Sequence, residues 1–336
     1  MRLLQLTSLV PIVAFVCSLQ VVACSSDPAA VSAGGGSGGV AAGTVGASAG
    51  GGAAPSNSDA VVGSFIVALV PKTSTDPGYT SLTGKVYDGV TPATVVWDLV
   101  TSAAGCDLMK PRAPFCSTPC ASGGVCVEDE QCAAYPTAQD LGAVTVKGLG
   151  ADFSVKAIAN AYQLPGDLTL PFPPADEGAD VSVNVTAGAF GPFAIRSSMV
   201  APLAASGALS LESGKALKLG WASPGNASAA RMHIKVDISH HGGSKGKIEC
   251  DVADSGSFEV PAALVGSLVS LGVAGFPSVE LSRVATGSAA IAPGKVTFQV
   301  LSTVSLDLAV PGVQSCHEDT ECPTGKPCKQ DLTCTP

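Results

Sequence analysis

Apolar positions in this chain recur in short runs with a period near two, and Gly and Pro separate the runs. Val61-Val62-Gly63-Ser64-Phe65-Ile66-Val67-Ala68-Leu69-Val70 is a largely apolar run of strand length. Residues 82–87 and 94–99 follow, each bounded by Pro or Gly, and 143–147 and 181–185 repeat the pattern further on. In Ala216-Leu217-Lys218-Leu219-Gly220-Trp221 the alternation puts Leu217, Leu219 and Trp221 on one face. Residues 232–238 and 247–252 read as the next strands. Short strands with Gly/Pro turns at this spacing predict a mainly β fold, a sandwich or barrel, with little helix. A helical signal lies in 260–279, where Leu264, Leu268 and Leu271 follow Pro261, a residue suited to a first helical turn. That stretch is uncharged, but its Pro and Gly residues make it a short buried helix rather than a membrane span.

The amino terminus has a different pattern. Arg2 is the only charged side chain of residues 1–23; Leu9-Val10-Pro11-Ile12-Val13-Ala14-Phe15-Val16 follows, and then Val21-Val22-Ala23-Cys24. A basic start, a short apolar stretch and a small residue before the cut describe an export signal. The apolar part falls short of the roughly 20 residues needed to span a bilayer. Val21-Val22-Ala23-Cys24 resembles the bacterial lipobox: two aliphatic residues, a small one, then Cys. The resemblance covers residues 1–24 and implies cleavage before Cys24, which becomes the acylated amino terminus. Several acyl chains on one residue give stable anchoring where a single chain does not. Ser25 stands where lipoproteins kept at the inner membrane often carry Asp, which points to the outer membrane. Residues 25–60 are almost entirely Gly, Ala, Ser and Val, a composition that predicts a flexible tether. The G-x-S-x-G match at 35–39 falls in this tract and is coincidental.

Composition narrows the partners and the compartment. The 336 residues carry a net charge of −9 without a basic cluster, which excludes nucleic acid and leaves membrane attachment to the acyl chains. No cofactor is expected. Of the twelve cysteines, Cys17 leaves with the signal and Cys24 takes the lipid. Cys106, Cys116, Cys120, Cys126, Cys132, Cys250, Cys316, Cys322, Cys328 and Cys334 remain, an even set in an exported chain, and read as disulfides. The C-x2-C knuckles of structural zinc sites are absent, so no metal is expected there.

The Cys-rich patches form an internal repeat. Residues 120–132 and 322–334 are both C-x5-C-x5-C, with Gly three after the first Cys and Asp three after the second. Each has one more Cys upstream, Cys116 or Cys316. Four cysteines allow three pairings. Joining first to third and second to fourth brings neighbouring turns together, giving Cys316–Cys328 and Cys322–Cys334, and by the repeat Cys116–Cys126 and Cys120–Cys132. Cys106 and Cys250 are left to pair with each other. That link predicts that residues 61–312 fold as one interlocked unit, with a Cys-rich insertion at 106–132 and a carboxy-terminal module at 313–336.

Around Trp221 and Pro224, residues 215–240 resemble the second and third strands of fibronectin type III domains, which implies one or more immunoglobulin-like sandwiches. Together with the lipobox, the Gly/Ala tether and the Cys-rich patches, the chain resembles Gram-negative envelope lipoproteins of unassigned function.

Candidate chemistry is sparse. Asp254-Ser255-Gly256-Ser257 matches the aspartic protease signature, but that reaction needs two carboxylates, and Ala285-Thr286-Gly287-Ser288 has Ala where the second Asp is required. The motif reads as a turn. Glu128-Asp129-Glu130 reads as a solvated turn rather than a calcium loop. Residues 237–247 hold His240 and His241 and a G-x-S-x-G match at 242–246, but a strand follows where a nucleophile elbow needs a helix. Adjacent histidines on a strand point opposite ways, so the pair is not expected to hold a metal. His240, His241, Ser244 and Lys245 are candidate ligand contacts, since loops on a rigid sandwich are where binding sits. The expectation is a non-catalytic envelope lipoprotein with a structural, adhesive or ligand-binding role and an envelope protein or glycan as partner. The alternative is a hydrolase using His240, His241, Asp251 and Asp254.

Overall fold

The computed structural model describes residues 59–73, 76–226 and 230–335. The expected signal at 1–23, Cys24 and the expected tether up to residue 58 lie outside the described residues. In chain order the strands are β1 (Val61–Val70), β2 (Tyr79–Val86), β3 (Val96–Ala103), β4 (Cys106–Arg112), β5 (Gly124–Glu128) and β6 (Gln131–Ala134). Next come β7 (Val144–Leu149), β8 (Ala151–Val155), β9 (Ala161–Gln163), β10 (Asp180–Val185), β11 (Phe193–Ser198) and β12 (Leu209–Ser210). The last are β13 (Leu217–Gly220), β14 (Arg231–Asp237), β15 (Lys247–Ala253), β16 (Ser257–Val260), β17 (Ser278–Ile291) and β18 (Gly294–Ala309), with helix α1 (Ala262–Ser270) between β16 and β17.

Ten strands make one long sheet in the order β3-β4-β15-β14-β17-β18-β1-β2-β9, with β12 also pairing β18. Most neighbours are antiparallel; β1 and β18 run parallel, with Phe65 beside Phe298. A second sheet has the order β11-β10-β7-β8, and β13-β16 and β5-β6 are separate pairs. The alternation read from the sequence sets the faces. Phe65, Val67 and Leu69 of β1 and Val296, Phe298 and Val300 of β18 are buried with Val144 and Val146 of β7 and Val181, Val183 and Val185 of β10 in one core. This is a sandwich-like packing of the two sheets. The other half of the long sheet builds a second core. Met232, Ile234 and Val236 of β14, Ile248 of β15 and Leu281 of β17 are buried there with Leu217 and Leu219 of β13 and with Leu264, Val265 and Leu268 of α1. Burying such a side chain contributes about 1.5–3 kcal/mol.

The longest strands join these cores. On β17, Val279 and Leu281 belong to the second core and Ala285 to the first. On β18, Val296, Phe298 and Val300 belong to the first and Leu308 to the second. At the crossing the buried Ser302 hydroxyl donates to Leu69 O at 3.1 Å and accepts from Leu203 N at 2.9 Å. The fold is thus mainly β, with little helix and two small disulfide-rich modules. Two boundaries differ from the sequence reading. Cys106 to Arg112 are a strand of the long sheet, so the first module begins only after Arg112. Ala60, taken as tether, accepts Lys295 N at 2.8 Å and belongs to the folded domain. The alternating segment at 216–221 forms β13, which pairs β16 with Leu217 opposite Val260, while β14 lies in the long sheet between β15 and β17.

Candidate ligand loop and disulfide modules

Five disulfides join Cys106–Cys250, Cys116–Cys126, Cys120–Cys132, Cys316–Cys328 and Cys322–Cys334. These are the pairs that the repeat and the spacing name. The repeat extends to the backbone. Gly123 and the equivalent Gly325 both have φ +82°, and Glu130 and the equivalent Leu332 have φ +61° and +58°. The glycines suit this left-handed conformation, where a side chain is strained.

Acidic side chains organise each module from within. In the first, Arg112 at the end of β4 reaches Asp98 at 3.2 Å, Glu128 at 2.7 Å and Asp129 at 3.1 Å, tying the β5-β6 hairpin to β3. Asp129 also accepts Phe115 N at 3.0 Å, and Glu130 accepts the Ser117 hydroxyl at 3.0 Å. The Glu128-Asp129-Glu130 triplet makes these contacts while Asp129 and Glu130 stay exposed to solvent, as expected of a solvated turn. In the second module Asp319 accepts Cys328 N at 2.8 Å, and Asp331 accepts the Thr333 hydroxyl at 2.6 Å, which with its neighbours lowers the Asp331 pKa below the usual carboxylate value. In each module three sulfurs lie within 4.8 Å of one another, Cys116, Cys120 and Cys132 in the first and Cys316, Cys322 and Cys334 in the second. All six are oxidised, and metal binding needs the thiolate.

The predicted ligand loop lies between β14 and β15. Gly242 N donates to Ser239 O at 2.9 Å, so Ser239, His240, His241 and Gly242 form a β-turn, with His241 at φ +63°. This corrects the expectation that the histidines point apart: in the turn their rings lie 3.9 Å apart between centroids, and both residues are exposed. The turn is pressed against the segment before β17. Phe276 N donates to His240 O at 2.8 Å, and a Cβ on Gly242 would come within 2.2 Å of Gly275 N. Lys245 N donates to the Ser239 hydroxyl at 3.0 Å, while the Ser244 and Lys245 residues are exposed. The second module docks on the same segment: Gly275 N donates to Asp331 O at 2.6 Å, the Ser315 hydroxyl donates to Gly275 O at 2.5 Å, and the Phe276 ring stacks on His317 at 4.3 Å.

Register places these parts together. Asp237, at the end of β14, is opposite both Lys247 and Ser278; Ser278 is opposite Asp307 near the end of β18; Lys247 is opposite Met109 in the middle of β4, which runs on past it to Arg112. The histidine turn and the carboxy-terminal module therefore lie at one end of the long sheet, whereas the first module runs on from β4 and returns to β2, where Ala138 bridges Tyr87 and Tyr87 N donates to Val62 O at 2.9 Å. Val61 is beside Lys295 at the start of β18. The chain thus enters the domain at the opposite end, roughly 40 Å away along an extended strand.

The four residues of the hydrolase reading do not converge. Asp251 sits within β15, where it accepts Arg231 Nε at 2.5 Å and has His233 Nε2 at 3.9 Å. Burial holds the His233 pKa below its ordinary value. Asp254 follows the far end of β15 from the histidine turn, roughly 20 Å along the strand. It is buried and paired with Arg283, and it accepts Trp221 Nε1 at 2.7 Å. Arg283 and His317 had no role in the sequence reading. An Arg at an inward position of an alternating run is the signal that was available for the first; nothing local marks the second.

These features define a class: a disulfide-stapled, mainly β domain that carries two small cysteine modules, one of them docked beside a histidine turn. Five disulfides place it outside the reducing cytoplasm. Among the described residues, no helix is long and apolar enough to cross a membrane. No family model matches the chain, and no curated protein matches it in sequence.

Proposed function

We propose that this chain is a non-catalytic envelope lipoprotein, acylated at Cys24 and held at the outer membrane, with a structural, adhesive or ligand-binding role. The observation that carries this reading is the order of its parts: a lipobox-like Val21-Val22-Ala23-Cys24, a Gly/Ala/Ser-rich stretch, then a domain closed by five disulfides. The polarity of the domain supports it. A chain tethered at Val61 carries the histidine turn and the carboxy-terminal module at the end of the long sheet away from the tether. There they meet an envelope protein or glycan. The spread of His240, His241, Asp251 and Asp254 supports a binding rather than a hydrolytic role.

Phase separation in Triton X-114 tests the anchor. Mature wild-type protein enters the detergent phase, and Cys24→Ala stays aqueous or unprocessed. Wild-type protein that is wholly aqueous, with its amino terminus elsewhere than Cys24, refutes the lipoprotein reading.

A further inference from the structure

We propose that His240 and His241 form a surface site for a borderline-soft divalent transition-metal ion, with Cu(II) bound in preference to Ni(II) and Zn(II). The inference deepens the ligand-contact reading of this loop and is independent of the acyl anchor. Three observations carry it. The two rings are side by side, 3.9 Å between centroids. They lie on the tip of a turn, and neither imidazole makes a hydrogen bond or ion pair within the described residues, so its nitrogens are uncommitted. The other two histidines are engaged: His233 faces Asp251, and His317 stacks on Phe276.

The backbone under the pair is held in place. Ser239 O accepts Gly242 N, His240 O accepts Phe276 N, and Gly242 packs directly on Gly275. A chelate of two imidazoles on a fixed turn does not require the loop to order when metal binds, which removes an entropic cost. His241 adopts φ +63°, a conformation uncommon for any side chain other than Asn, Asp or His. That conformation brings the second ring to the side of the first. Imidazole suits Cu, Ni and Zn, and among these divalent ions affinity peaks at Cu(II). Water fills the remaining positions, so the ion is exchangeable. The ten cysteines of the domain are oxidised and offer no thiolate to compete.

The test uses the full chain, air-oxidised, with remaining free thiols capped by N-ethylmaleimide. It is titrated with Cu(II) by calorimetry, and the bound ion is read by electron paramagnetic resonance. The expected result is a single copper ion per chain with nitrogen hyperfine structure, and weaker binding of Ni(II) and Zn(II). His240→Ala and His241→Ala each weaken binding by at least about tenfold, and His233→Ala and His317→Ala leave it unchanged. Unchanged circular dichroism confirms that the variants are folded. Absence of stoichiometric copper, retention of wild-type affinity in the double variant, or equal loss in His317→Ala overturns the proposal. Detergent partition of the same variants reads the anchor separately.

Discussion

Arg283 and Asp254 form a buried ion pair at the seam between the two cores, and the aspartate of the protease-like motif is committed to it. The guanidinium also donates to Ala222 O at 2.6 Å and Ala201 O at 3.2 Å, and Trp221 Nε1 donates to the same carboxylate at 2.7 Å. Both partners are almost fully excluded from solvent, at 1% exposure each. Removing one partner leaves the other charge uncompensated. Asp254→Ala is expected to cost about 3–5 kcal/mol in urea unfolding, and Asp254→Ala with Arg283→Met less than either single change. A loss of under about 1 kcal/mol for Asp254→Ala would show that the pair does not hold the seam.

Cys106 and Cys250 are directly opposed on β4 and β15 and buried in the second core. Their bond spans 144 residues of sequence and secures β3 and β4, which join the long sheet through β15 alone. Replacing both with Ala should cost about 2–5 kcal/mol, with the largest gain in hydrogen exchange in β3 and β4. Unreduced peptide mapping checks the pairing itself. Recovery of Cys106 joined to a carboxy-terminal cysteine would sink it.

Tyr162 is buried against Phe65, and its hydroxyl accepts Leu141 N at 2.7 Å while donating to Asp140 Oδ1 or Gly142 O. Burial pushes its pKa up from 10.0 to about 12. The folded chain therefore keeps this proton where the unfolded chain has lost it. The stability it contributes is present below pH 10 and is lost as the pH rises through about 12. Ultraviolet titration should show one of the four tyrosines ionising well after the rest, and Tyr162→Phe should remove that step. The same change strands Leu141 N and should cost about 1–3 kcal/mol. Titration of all four tyrosines together would contradict the buried phenol.

Residues 61–70, 181–185, 232–238 and 247–252 were legible as strands because their apolar positions coincide with one buried face. The two longest strands were not named. The inward positions of β17 read Val279, Leu281, Arg283 and Ala285, and a charge in that row hides a strand until its partner Asp254 is known. On β18 the alternation of Val296, Phe298 and Val300 was available and is the signal to look for. Helix α1 matched its pattern, with Leu264 and Leu268 buried after Pro261. The cysteine pairs were readable because two copies of one spacing constrain each other. The histidine turn was misjudged because the left-handed backbone at His241 depends on contacts with Gly275 and Phe276, more than thirty residues away in sequence.

The parallel pairing of β1 with β18 has a mechanical consequence. Force applied at residue 61 and resisted at the histidine turn runs along the strand axes. It loads the eight register pairs between β1 and β18 in shear, all at once. Peeling would break them one at a time under a much smaller pull, so the domain is built to be tugged from its two ends.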